Sequence, residues 1–202
     1  MTLLALGALA SLLNAWSHVH DYTVTIDARE VLGKKTDNRV LHYAFRAPDD
    51  ARLEVISGQS RGGIVVWHGG NQVLAYRRGV VSFVKVHMDA RDPRVSTLRG
   101  NGVLTPNLGH LLACFDRHRD AVREANGPAL DGKPTTAVTL TYDGFTCPDD
   151  SAQDRAVTRD VLYVDSNGIP VMRERFEGAT LVEHWVLRDV RIDPGVEDSE
   201  LR

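Results

Sequence analysis

The chain reads as a mainly β protein of the α+β class, built on a curved antiparallel sheet. Three observations point there. Short runs rich in β-branched and aromatic residues recur across residues 22–76, each ended by tight-turn chemistry. Within the runs apolar and polar side chains alternate, the mark of a sheet with one dry and one wet face. A second series of the same kind fills the last third, and helical spacing is confined to the N-terminus and one mid-chain stretch.

Residues 1–202 are expected to form one domain. With 43% apolar residues the chain supplies one substantial core. No Pro/Ser-rich linker, low-complexity run or fixed-period repeat divides it. The net charge of −3, with both signs interspersed, argues against a nucleic-acid partner, which needs concentrated Lys and Arg. No stretch reaches the 18 or more apolar residues of a membrane-spanning helix. The glycines of Arg99-Gly100-Asn101-Gly102 are too few for a phosphate-binding fingerprint, and no cofactor is expected.

Residues 2–16 carry no charged side chain. Leu6, Leu9, Leu13 and Trp16 recur at helical spacing with Leu12 beside them, which predicts a helix. Small residues cover most of its other sides, so it should be buried nearly all round. The stretch lacks the basic flank and cleavage site of a secretion signal. It is read as part of the mature protein, with any export signal preceding residue 1.

Strands are predicted at 22–31, 40–46, 51–57, 63–67 and 73–77. Tyr22, Val24 and Ile26 share one face of the first; Leu41, Tyr43 and Phe45 share one face of the second; Leu53 and Val55 share one face of the third. Ile64-Val65-Val66-Trp67 is apolar on both faces, so it should be covered on both, in part by a helix in the sheet's concavity. A further strand is predicted at 80–88.

Thr105-Pro106-Asn107 suits a helix start, and 108–126 reads as one helix ending at Gly127-Pro128. Leu108, Leu111, Leu112 and Phe115 form its apolar stripe, continued by Ala121 and Val122; Arg117, Arg119, Arg123 and Glu124 point to solvent. Further strands are predicted at 136–142, 159–164, 169–176 and 180–192, with Asn167-Gly168 as a short-hairpin signal. Arg159, Arg173, Arg175, Arg188 and Arg191 are assigned to a wet sheet face.

Several motifs are weighed and set aside. Gly58-Gln59-Ser60-Arg61-Gly62 matches the G-x-S-x-G pattern of a hydrolase elbow, but the segment after Ser60 is too short and too β-branched for the helix that elbow requires. A glycine-rich hairpin is the reading kept. His18 and His20 share one face of an extended segment, yet a closed zinc site needs four ligands and no partners stand nearby; no metal is expected. Cys114 and Cys147 form no metal pattern. A disulfide, worth about 4 kcal/mol for a loop of this length, and two free thiols are both open.

The order of these elements carries a resemblance. A hydrophobic helix precedes Tyr22-x-Val24-x-Ile26, then Ala47-Pro48-x-x-Ala51-Arg52-Leu53-Glu54, then Gly62-Gly63-x-x-Val66-x-x-Gly69-Gly70. Leu162-Tyr163-Val164-Asp165 and Gly168-Ile169-Pro170-Val171 lead into a final strand pair. This order resembles the outer-membrane lipoprotein-sorting superfamily, which comprises the periplasmic lipoprotein carrier, its outer-membrane receptor and related exported domains. The lipid-binding N-terminal domain of periplasmic sigma-factor regulators is similar.

The resemblance implies an incomplete antiparallel β-barrel, closed by the N-terminal and mid-chain helices, with an apolar cavity for acyl chains. The cavity-lining residues would be Leu13, Trp16, Tyr22, Val24, Ile26, Leu41, Tyr43, Phe45, Leu53, Val55 and Trp67. It further implies a periplasmic or otherwise exported protein without catalytic residues, whose partners are lipid or lipoprotein acyl chains and a cell-envelope protein. Taken singly, each lining residue reads first as ordinary core. Two other readings stand beside it: a small enzyme using His42, His68 or Arg46 at the cavity mouth, and an interaction module working through the convex face.

Overall fold

The computed structural model describes residues 7–79, 84–147 and 149–202. Its centre is one eleven-stranded, wholly antiparallel sheet in the order β6-β5-β4-β3-β2-β1-β11-β10-β9-β8-β7. Two meanders make it. β1 (Asp21–Leu32), β2 (Lys35–Arg46), β3 (Asp50–Gly58), β4 (Gly63–His68), β5 (Gln72–Arg77) and β6 (Val86–Asp89) form the first. β7 (Val122–Asn126), β8 (Thr136–Thr141), β9 (Arg159–Val164), β10 (Pro170–Glu177) and β11 (Thr180–Ile192) form the second. β1 and β11 pair with each other and join the halves, while β6 and β7 are not paired, so the barrel is incomplete.

Register turns the predicted alternation into one surface. Tyr22, Val24 and Ile26 lie opposite Phe45, Tyr43 and Leu41, which lie opposite Ala51, Leu53 and Val55 in turn. Ala51 and Leu53 continue to Trp67 and Val65. Because side chains alternate across a strand, all of these face the same concave side. Helix α1 (Gly7–Trp16) and helix α2 (Leu108–Arg117) cover that side.

Three expectations are revised. The mid-chain helix stops at Arg117, and 122–126 is the edge strand β7, with Val122 opposite Leu140 and Glu124 opposite Val138. Residues 121–125 have fair helix propensity, but pairing with β8 and complete burial of Val122 outweigh a weak local preference. Helix α1 buries only Leu9, Leu12 and Trp16 fully; Gly7, Ala10, Ser11, Asn14 and Ala15 are exposed. The predicted strand at 80–88 is a strand only over β6, with 80–83 outside the described residues, as are Leu6 and the rest of 2–6.

The expectation that β4 is covered on both faces holds. Val65 and Trp67 join the concave core, but Ile64 and Val66 are buried on the convex face. The C-terminal segment covers that side. Gly195 N–H bonds Asp21 on β1, Val196 and Leu201 pack on Ala44 of β2, and the Tyr76 hydroxyl of β5 reaches the Arg202 carbonyl. The segment therefore crosses the convex side of β3 and β4.

The candidate functional site: the concave interior and its cover

The interior begins at Tyr22. Its hydroxyl donates to the Pro106 carbonyl (2.9 Å) and accepts from Leu108 N–H (3.0 Å), which seats the start of α2 on β1. The Asn107 side chain caps the same helix by accepting from His110 N–H. Trp16 meets Tyr22 edge-on at 5.3 Å, and Tyr22 packs on Phe45 at 5.4 Å and Tyr43 at 5.8 Å. Burial pushes the Tyr22 and Tyr43 phenols well above their usual range, so both stay neutral.

Ten of the eleven predicted lining residues lie buried in one apolar cluster, and Leu13 packs partly buried against it. The same cluster contains Leu9 and Leu12 of α1 and Leu108, Leu111, Leu112 and Phe115 of α2. The concavity is thus filled by the chain's own helices. Beneath α2, between Ile26, Trp185 and Leu187, only about 10 Å³ is left. A larger cleft of about 100 Å³ opens over Leu41, Leu53, Val55 and Val65, roofed by Val95 and Ser96.

The two covering helices are held differently. Helix α2 is tied covalently: Cys114 on its buried face is bonded to Cys147 in the loop after β8, with Cα atoms 5.7 Å apart. Helix α1 is held by packing, by Trp16 Nε1–H donating to the Gly168 carbonyl at 3.4 Å, and by one carboxylate. Glu124 of β7 accepts from Leu9 N–H at 2.8 Å and Ala8 N–H at 3.1 Å, satisfying amides that the first turn of a helix leaves free.

One end of the concavity is polar. Glu30 of β1, Glu183 of β11, Arg175 of β10 and Asp160 of β9 lie in one cross-strand row, all buried. Two loops close over the row. From the first, Arg99 donates to Glu183 (3.1 Å) and Glu177 (2.6 Å), its backbone N–H bonds Glu30 (2.9 Å), and Asn101 bonds Glu30 (2.8 Å). From the second, Asp150 and Asp154 each stand 2.8 Å from Arg175. Ser151 Oγ donates to the Arg99 carbonyl and joins the loops. Arg173 pairs with Asp160 at 2.6 Å.

Carboxylates outnumber guanidiniums here: Arg99, Arg173 and Arg175 face Glu30, Asp150, Asp154, Asp160 and Glu183. Burial raises Glu183 to about 7 although Arg175 opposes the shift. Asp150 is also raised, chiefly by burial. The sequence assigned Arg173 and Arg175 to a wet face, which the structure corrects: Arg175 is 0% exposed. A signal was present in the alternation. Glu30 continues the dry series Tyr22, Val24, Ile26, Ala28, and Glu183 shares parity with Trp185 and Leu187.

The polar residues proposed for an enzymatic mouth sit elsewhere. His42 and Arg46 alternate with Leu41, Tyr43 and Phe45, so they face the convex side, as does His68. His68 pairs with Asp50 (2.7 Å), which pairs with Arg46 (2.9 Å). Gly58–Gly62 is a hairpin turn between β3 and β4, with Gly63 N–H bonded to the Ser60 carbonyl. Among the described residues no group of three His, Cys, Asp or Glu side chains is arranged to hold a metal ion, and none of the described helices is long and apolar enough to cross a membrane.

No protein-family description and no curated protein matches the chain. Solved structures do. A DUF1329 family protein from Desulfovibrio piger aligns at 11% identity over 97% of this chain and 96% of that one, with a TM-score of 0.48. A putative outer membrane lipoprotein-sorting protein domain from Vibrio parahaemolyticus aligns at 11% over 96% and 94%, TM-score 0.47. A LolA superfamily protein from Nitrosomonas europaea aligns at 11% over 100% and 98%, TM-score 0.45.

Proposed function

We propose that this protein binds the acyl chain of a lipid or lipoprotein in its concave interior, and does so in the cell envelope. The observation that carries the reading is the cover. The apolar face of β1–β4 is closed by two short helices and a roofing loop, and the cleft over Leu41, Leu53 and Val55 leaves part of it reachable. The Cys114–Cys147 disulfide supports an oxidising, exported setting.

Magnitudes favour exchange of α1 for ligand. Exposing Leu9, Leu12 and Trp16 costs about 5–9 kcal/mol at roughly 1.5–3 kcal/mol per side chain. An acyl chain returns about 0.8 kcal/mol per buried methylene, so roughly six to eleven methylenes offset the loss. Helix α2, tethered by the disulfide, stays in place.

The test is titration of the full chain with a fluorescent long-chain fatty acid, alongside native mass spectrometry of the protein as isolated. Saturable one-to-one binding, weakened at least tenfold by Leu53→Glu with the fold retained, is expected. No binding and no co-purified lipid would contradict the reading.

A further inference from the structure

A further opening lies outside the apolar interior. A cleft of about 610 Å³ runs between the loop after β6 and the loop that carries Cys147. Its volume falls in the range of small-molecule sites, and its wall mixes polar and apolar groups. Ser96 and Thr97 stand between it and the apolar cleft, because both residues line both spaces. A chain lying over Leu41, Leu53 and Val55 has this partition within the same cleft.

The charges in the wall are unequal in availability. Asp150 is engaged by Arg175 at 2.8 Å, and Asp149 by His110 at 2.6 Å. Arg155 is exposed and makes no hydrogen bond or ion pair among the described residues. It lines a second cleft of about 400 Å³ as well, beside Tyr142 and Phe145. A guanidinium left over when its neighbouring acids are matched is a fork for two oxygens of a phosphate.

We propose that this cleft takes the phosphate-bearing head of the ligand, with Arg155 as its contact, while the acyl chain enters the interior across Ser96 and Thr97. The assignment rests on the acyl-binding reading above for the chain, and on the cleft alone for the phosphate.

The experiment compares palmitoyl lysophosphatidylglycerol with monopalmitoylglycerol, which has the same chain and no phosphate, on the full-length protein and on Arg155→Ala. The wild type should bind the phosphate-bearing lipid about tenfold more tightly. The variant should lose that preference and keep its affinity for monopalmitoylglycerol. Arg155→Lys should restore part of it. A third arm uses glycerol 3-phosphate. Arg155-dependent binding of it, with neither lipid bound, would uphold the phosphate contact and overturn the acyl reading. Equal binding of both lipids by the wild type, or a preference that survives Arg155→Ala, would overturn the cleft assignment and leave the acyl reading standing.

Discussion

The backbone amide of Leu9 donates to Glu124 Oε1 at 2.8 Å, so the helix that fills the concavity is fastened to the edge strand of the opposite half of the sheet. Leu9 is 1% exposed and Glu124 comes from a stretch whose local preference is helical. If α1 must yield to a ligand, this carboxylate sets part of the cost.

Glu124→Ala should therefore lower stability by about 1–2 kcal/mol, the usual loss for removing a helix cap. The same variant should bind an acyl probe faster, because α1 leaves more readily. Calorimetry and stopped-flow binding check the two halves of the expectation. A lower melting temperature without faster binding would show that α1 does not gate entry.

The polar row makes stability depend on pH with a definite sign. Burial raises Glu183 to about 7, so the folded protein holds a proton that the unfolded chain has released. Stability from this group is complete below the ordinary carboxylate range and is lost as pH rises through 7. Asp150 adds in the same direction, and so does His110, which Asp149 shifts upward. Denaturation between pH 5 and pH 8 should show falling stability, and Glu183→Gln should flatten the curve mainly by stabilising the protein at pH 8. An unchanged slope in the variant would assign the dependence to other groups.

The Arg99 guanidinium answers Glu177 and Glu183, while its backbone N–H bonds Glu30. Arg99→Met should cost about 3–5 kcal/mol, because it leaves the buried Glu183 with only the more distant Arg175, at 3.6 Å, as a cation. The double variant Arg99→Met, Glu183→Gln should recover part of the loss. Urea denaturation of the two variants tests this, and additive losses would contradict a shared site.

Removing the disulfide by Cys114→Ser with Cys147→Ser should cost about 4 kcal/mol in the chain-entropy account. Hydrogen exchange should rise in α2 and in 146–155 before it rises in the sheet. Uniform loosening would show that the bond does not hold α2 separately.

Much of this architecture was legible from the chain. Alternation at Tyr22-Val24-Ile26 and Leu41-Tyr43-Phe45 states a dry face directly, and Asn167-Gly168 states a hairpin, because local geometry and burial agree there. The features that escaped share one physical character: they depend on distant partners. Residues 122–126 become a strand through β8. The convex cover of Ile64 and Val66 comes from a segment more than a hundred residues away. Arg175 looks solvated in sequence because its counter-charges, Asp150, Asp154 and Glu183, sit on other elements. The residues of the dry concave face were nameable; whether the N-terminal helix fills the space they enclose was left open.

The most direct test of the central claim is amide hydrogen exchange of the full chain with and without a saturating sixteen-carbon monoacylglycerol. Amides of Leu9–Trp16 should lose protection when the lipid binds, while those of β1–β3 keep or gain it. Unchanged or greater protection across α1 in the lipid-bound protein would contradict the exchange of helix for acyl chain.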